Sequence, residues 1–235
     1  MKVHIQDKTK LVNSVFNKVY KKYDFMNDLM SLGVHRSWKK NMINWMKPQS
    51  NQNLLDVASG TGDLAKIFSL KNNNKNEIIC VEPNKYMLET GKAKLNSFKN
   101  IKWKLAAAEK LPFKNDSFDF YTIGYGIRNV TNVNLCLKEA FRVLKPGGRF
   151  MCLEFSKVNI SILNRFYQIW SSKVIPTLGA KISGQKENYE YLIESIKRFP
   201  DQNELSTIIS NSNFISVKHR NLSGGIAAIH SGWKI

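Results

Sequence analysis

Apolar positions recur along the chain with two different periods. From Leu11 to Met46 they come at three- and four-residue steps, as Val12, Val15, Phe16 and Val19, then Tyr23, Phe25, Met26, Leu29 and Met30, then Trp38, Met42, Trp45 and Met46. This spacing predicts amphipathic helices, with Gly33 separating the last two. Beyond residue 53 short apolar runs take over at Leu54–Val57, Ile78–Val81, Ile101–Leu105, Phe118–Ile123 and Phe150–Phe155. Helical patterns fill the intervals, opening at Asp63 and near Asn84 and spanning Val133–Leu144, where Lys145-Pro146-Gly147-Gly148 stops the last. From Ile160 to Phe199 the pattern is helical and rich in aromatics, and it is helical again over Asp201–Ile209. Phe214–His219 and Gly225–His230 read as closing strands joined through Leu222-Ser223-Gly224. Alternating strands and helices of this kind predict an α/β fold with a doubly wound, mostly parallel, seven-stranded sheet that ends in an antiparallel hairpin. One domain over residues 1–235 is expected, with an N-terminal helical region at 10–47 and a helical, lid-like insertion at 160–200.

The chemistry concentrates where the first strand turns into the first following helix, Asn53 to Ala65, NLLDVASGTGDLA. Glycines in Ser59-Gly60-Thr61-Gly62 allow backbone to pass close to a ligand. About twenty residues further on the second strand ends at Glu82, a spacing at which dinucleotide folds hold ribose hydroxyls with a carboxylate. A pyrophosphate would occupy the helix N-terminus in such a fold, but Asp56 and Asp63 put two carboxylates there. A nucleoside carrying cationic groups would instead be attracted, its ribose to Glu82 and its ammonium or sulfonium to Asp56 and the turn. S-adenosylmethionine has that form. Asp56, Ser59, Gly60, Thr61, Gly62 and Glu82 are therefore the candidate cofactor-binding residues.

Two loops at strand ends add to them. In Ala106–Phe113, Ala107 and Ala108 offer backbone groups to an adenine edge, and Glu109 reads equally as an adenine partner or as a solvated loop residue or helix cap. Gly124-Tyr125-Gly126-Ile127-Arg128-Asn129 follows the fourth strand. Two glycines around an aromatic, then an arginine and an amide, are a costly composition for a plain turn, which makes this the candidate catalytic loop. Glu154, at the end of the fifth strand, either reaches substrate or pairs with Arg128 or Arg149.

Composition adjusts this picture in two places. The 235 residues carry a formal net charge of +18, which favours an anionic partner such as nucleic acid or a membrane surface, although Lys- and Asn-rich turns like Lys71–Asn76 account for a large share. Between Lys8 and Lys47 nine Lys or Arg stand against Asp24 and Asp28. This region is expected to touch an anionic membrane reversibly, with Lys39 and Lys40 among its contacts. Cys80, Cys136 and Cys152 are scattered without CxxC spacing and are expected to be buried free thiols, and no metal site is expected.

Longer stretches carry a resemblance. VFNKVYKKYDFMNDLMSLGVHRSWKK at Val15–Lys40, LLDVASGTGDLA at Leu54–Ala65, AEKLPF at Ala108–Phe113, GIRNVTNV at Gly126–Val133, RVLKPGGRFMCLEFSK at Arg142–Lys157, YEYLIESIKRFP at Tyr189–Pro200 and the terminal GGIAAIHSGWK are similar to the ubiquinone/menaquinone biosynthesis C-methyltransferase family. The resemblance implies a class I methyltransferase that moves a methyl group from S-adenosylmethionine to a ring carbon of a polyprenylated benzoquinol or naphthoquinol. It implies cofactor positions at Thr61, Glu82, the pair Ala107 and Ala108, and Gly124. Three departures accompany it: the family usually has Asp at Glu82, commonly Asn or Asp at Ala107, and often Ser at Gly124. Arg128 would stabilise a developing phenolate, Asn129 would orient the ring, and His35, Tyr23 and Tyr125 are candidates to take the ring proton. A cytoplasmic protein, peripheral on the cytoplasmic face of the inner membrane, is expected, alone or as a homodimer or in a biosynthetic complex. A nucleic-acid methyltransferase and a non-catalytic quinone- or lipid-binding protein are the competing readings, with no nucleic-acid partner expected under the first.

Overall fold

The computed structural model describes residues 33–158 and 186–235, together with Val12, Ser14, Asn17, Asn27, Asp28 and Ser31. Strands β1 (Leu54–Val57), β2 (Ile78–Glu82), β3 (Ile101–Leu105), β4 (Phe118–Gly124) and β5 (Leu144–Phe155) run parallel. Strand β7 (Ala227–Trp233) is antiparallel to both β5 and β6 (Ile215–Leu222). The order across the sheet is β3-β2-β1-β4-β5-β7-β6, so the seven-stranded, doubly wound sheet and its closing hairpin are as expected. Chain order reverses between β1 and β4, and a crevice opens at the carboxyl ends of strands around such a point.

Strand β1 is buried at all four positions, as a central parallel strand covered on both faces must be. Its period of two sends Leu54 into one core layer, with Met42, Phe68, Ile78 and Met151. Leu55 and Val57 enter the other, with Tyr121, Leu137 and Phe150. Helix α1 (His35–Met46) covers the first layer through Trp38, Met42, Ile43 and Met46, and the Trp38 ring meets Phe155 edge-on at 6.1 Å. Helices α2 (Asp63–Lys71), α3 (Lys85–Lys94), α4 (Val133–Val143), α5 (Lys186–Arg198) and α6 (Gln202–Ser210) complete the described elements, with 3-10 turns at Ile127–Asn129 after β4 and at Ser223–Gly225 between β6 and β7. Asn84 caps α3 by accepting from the amides of Tyr86 and Met87, and Asp201 with Glu204 forms a reciprocal capping box on α6.

Strand boundaries differ from the sequence reading at the carboxyl side. Lys145–Gly148 does not end the helix in a free turn but opens β5, with a register irregularity between Phe118 and Phe120. The last residues of the chain hold it there: the Gly147 amide donates to the Lys234 carbonyl at 2.8 Å, and the Lys234 amide donates to the Gly148 carbonyl at 3.0 Å. Pairing of Arg149 with Trp233 extends β7 three residues past His230. Cys80, Cys136 and Cys152 are free and buried. No described helix is long and apolar enough to cross a membrane. The stripes over Val15–Met26 and residues 159–185 of the expected insertion lie outside the described residues.

Candidate active site

At the carboxyl ends of β1, β2 and β4 two cavities adjoin. One is lined by Gly60, Glu82, Met87, Ala107, Ala108 and Asn129, among others. The other is lined by Lys39, Asp56, Ser59, Thr61, Asp63 and Gly124. Ala58 and Tyr125 line both. These two residues hold left-handed backbone, φ +49° and +57°, which costs a side-chain-bearing residue energy and persists only where surrounding structure fixes it. Gly126 allows their approach, because a Cβ there would lie 2.6 Å from that of Ala58.

The glycine turn is built by backbone and by Glu82. The Gly62 amide donates to the Ser59 carbonyl at 2.9 Å, and the Ser59 amide to Val81 at 3.1 Å. Gly62 sits at φ +81°, and a Cβ there would stand 2.7 Å from Leu95 and 3.0 Å from Trp103. Buried Glu82 accepts from the Gly60 amide at 2.9 Å through one oxygen and from the Asn84 amide at 3.0 Å through the other. It thereby ties the end of β2 to the turn, and each oxygen keeps a lone pair toward the first cavity. Burial pushes its pKa up to about 7 against the pull of those two amides.

The second cavity is a charge array. Asp56 is 1% exposed, accepts from the Thr122 hydroxyl at 2.7 Å through Oδ1, and has no partner for buried Oδ2. Burial raises its pKa to about 7. Asp63 is met by two ammonium groups, Lys39 at 2.7 Å and Lys94 at 2.9 Å. These outweigh its burial and hold its carboxyl well below the usual range. The expectation that Asp56 and Asp63 jointly repel a pyrophosphate is corrected here, since the lysines pair with Asp63 and leave Asp56 as the carboxyl with an unpartnered oxygen. Thr61 accepts from Lys94 at 3.2 Å.

Lys39, which the sequence reading assigned to a membrane contact, lines the second cavity. It is 6% exposed, its ammonium pairs with Asp63 and lies 5.9 Å from the Tyr125 ring centroid, so it is largely taken up inside the crevice wall. The signal was present: Lys39 stands on the buried face of α1, at apolar spacing from Trp38, Met42, Ile43 and Met46.

Arg128 and Glu154 form a buried ion pair, with exposures of 7% and 1%. Arg128 Nη1 also donates to the Tyr125 carbonyl at 2.8 Å and Nε to Ser195 on α5 at 3.3 Å, while Nη2 has no hydrogen bond among the described residues. Asn129 stands next to it, within 3.5 Å of the Tyr191 hydroxyl of α5. Glu154 is thus the partner of Arg128, the second of its two expected roles. Glu109 lines the first cavity and its Oε1 accepts from the amides of Thr131 and Asn132 at 2.6 and 3.1 Å, just ahead of α4, whose cap is the Asn132 side chain. His35 is buried beside α1's start with Nε2 2.9 Å from Asp28 and lines neither cavity. It is not brought to Tyr125 and Arg128 as a base would need to be. Tyr23 lies outside the described residues.

The model of the ubiE/COQ5 methyltransferase family matches residues 2–234. The chain belongs to this family. The ubiquinone/menaquinone biosynthesis C-methyltransferase UbiE of Rickettsia akari is 51% identical over 240 residues, covering 100% of this chain and 96% of that protein. The protein of the same name from Rickettsia prowazekii is also 51% identical, with the same coverage. Among solved structures, a SAM-dependent methyltransferase of Thermotoga maritima, described as a possible histamine N-methyltransferase, aligns with a TM-score of 0.68 at 21% identity over 95% of this chain and 100% of that one. Haemonchus contortus phosphoethanolamine N-methyltransferase 2, bound to phosphomonomethylethanolamine and S-adenosylhomocysteine, aligns at 0.63 with 12% identity, over 84% of this chain and 52% of that one. These two share the fold. As a ubiE/COQ5 family member the chain is a methyltransferase, and nothing in these relatives favours the nucleic-acid or non-catalytic readings. Every cofactor position that the family resemblance implied, Thr61, Glu82, Ala107, Ala108 and Gly124, lines one of the two adjoining cavities.

Proposed function

We propose that the protein transfers the methyl group of S-adenosylmethionine to a ring carbon of a polyprenylated benzoquinol or naphthoquinol, at the surface of an anionic membrane. The observation that carries this reading is the pair of adjoining cavities, one lined by the glycine turn and Glu82 and the other by Lys39, Asp56 and Asp63, in a chain 51% identical over its whole length to proteins named as such enzymes. The residues fit the methyl donor. Glu82 accepts from ribose hydroxyls, the partnerless Oδ2 of Asp56 meets an ammonium or sulfonium, and Lys39 meets the methionyl carboxylate. S-adenosylmethionine supplies an electrophilic methyl group, and the protein's task is to raise electron density at the ring carbon.

Arg128 performs that task by stabilising negative charge on a quinol oxygen. Its guanidinium is positioned by Glu154, the Tyr125 carbonyl and Ser195, which leaves Nη2 to donate to a phenolate. A charge-assisted donor fixed in a desolvated site is worth far more than one in water. Asn129 sets the ring's orientation, and Tyr125 forms the floor between donor and acceptor halves. Helix α5, whose Ser195 and Tyr191 meet Arg128 and Asn129, walls the ring's side of the site. A polyprenyl tail keeps the quinol in lipid, so the enzyme works at the bilayer surface.

Incubation with S-adenosylmethionine and demethylated quinols of both ring classes in detergent tests the reading. A product methylated on ring carbon from at least one class is expected. Absence of product from both, in protein that binds the methyl donor, would refute it.

A further inference from the structure

A second cleft, of about 420 Å³, opens on the outer side of α1 and α2. Arg36, Lys39, Lys40, Lys66 and Lys94 line it, with Asp63 as the one carboxylate in its wall. Asp63 takes up Lys39 and Lys94, and Asp28 holds Arg36 at 2.7 Å. His35, whose pKa is lowered by burial and by Lys39, adds no charge at neutral pH. Lys40 and Lys66 are both exposed and have no ion-pair partner among the described residues. Like charges gathered around a concave surface repel one another unless an anion enters, so the cleft stands in excess of positive charge.

An apolar step borders it. Leu70 is 55% exposed, one helical turn beyond Lys66 on α2, and half-buried Ile67 lies between the two. A soluble anion has no use for an exposed leucine beside its cations. A phospholipid offers both a phosphate for the lysines and an acyl boundary for the leucine.

We propose that this cleft docks the phosphate headgroup of an anionic phospholipid, with Lys40 and Lys66 on the phosphate and Leu70 reaching toward the acyl region. The proposal rests on the membrane reading above and gives it a location: the lipid-facing cations are Lys40 and Lys66, and Lys39 belongs to the crevice.

Co-sedimentation with vesicles of phosphatidylglycerol mixed into phosphatidylcholine, against phosphatidylcholine alone, tests it, with S-adenosylmethionine titrated separately on the same proteins. The wild type is expected to prefer anionic vesicles. The K40E/K66E variant should lose affinity for them by about thirtyfold or more while keeping cofactor affinity, which also certifies its fold. L70D should weaken binding most at high salt, where the lysine contribution is screened. Unchanged vesicle binding by K40E/K66E would overturn the proposal. So would a wild type that ignores vesicles but binds inorganic diphosphate in a way the same variant abolishes. Because cofactor binding is read independently, its failure would strike the methyltransferase mechanism and leave this test standing.

Discussion

The two halves of the crevice meet at Ala58 and Tyr125 but are built by opposite means. The nucleoside half is made of glycine turn, aliphatic side chains and short loops, with two carboxylates, Glu82 and Glu109, that already serve backbone amides. The other half is made of buried charges, Lys39, Asp56 and Asp63, fixed against each other and against Lys94 and Thr122. Backbone recognition tolerates sequence change, because every residue has an N–H and a C=O. Buried charges do not, because removing one leaves its partner desolvated and unpaired. Of the three departures from the family pattern, Ala107 falls on a loop of the nucleoside half, whereas Glu82 and Gly124 end β2 and β4, and Glu82 keeps its carboxylate.

The comparison is broken most forcefully at Arg128. Arg128→Lys keeps a cation for Glu154 but loses the planar fork, and single-turnover rates should fall about 10²- to 10³-fold with cofactor affinity retained. Rates near wild type would return Arg128 to a structural role. Next comes the charged half itself: Lys39→Met should weaken S-adenosylmethionine about tenfold to a hundredfold, the worth of one charge-assisted bond, and Asp63 keeps Lys94 so that the fold survives. An unchanged dissociation constant in folded protein would remove Lys39 from the site. The smallest effect belongs to the tolerant half. Ala107 is exposed at the cavity's rim, so Ala107→Asn has room for its amide and should tighten cofactor binding only about two- to tenfold by calorimetry, one neutral hydrogen bond. A change as large as that at Lys39 would erase the distinction between the halves.

The fold was legible because its signals are local. Apolar runs bounded by glycine and asparagine marked every parallel strand, and the GTG turn with Glu82 marked the crevice. The crevice was legible in the glycine turn and Glu82, which line it. It was not legible where meaning depends on a distant partner. Lys39 reads as one more basic residue until α1 packs against α2 and turns it onto Asp63, 24 positions away. Glu109 gives no sign in the sequence that the backbone of Thr131 and Asn132 meets it at the wall of the first cavity. His35 reads as a base until Asp28 claims it and burial lowers its pKa. The ends of β5 and β7 were likewise set by pairing with each other and not by their own alternation.

The central claim is that the charged half is made for the cationic end of a methyl donor, and calorimetry across pH tests it most directly. Burial raises Asp56 and Glu82 to about 7, so both are largely protonated in the free protein below that pH. A ligand that presents an ammonium or sulfonium to Asp56 favours its ionised form, which lowers that pKa on binding and releases a proton. S-adenosylmethionine should therefore bind more tightly at pH 8 than at pH 6, with proton release at pH 7 visible as a buffer-dependent enthalpy, and a nicotinamide dinucleotide should not compete. Affinity independent of pH with no proton release, or preferential binding of the dinucleotide, would contradict the account.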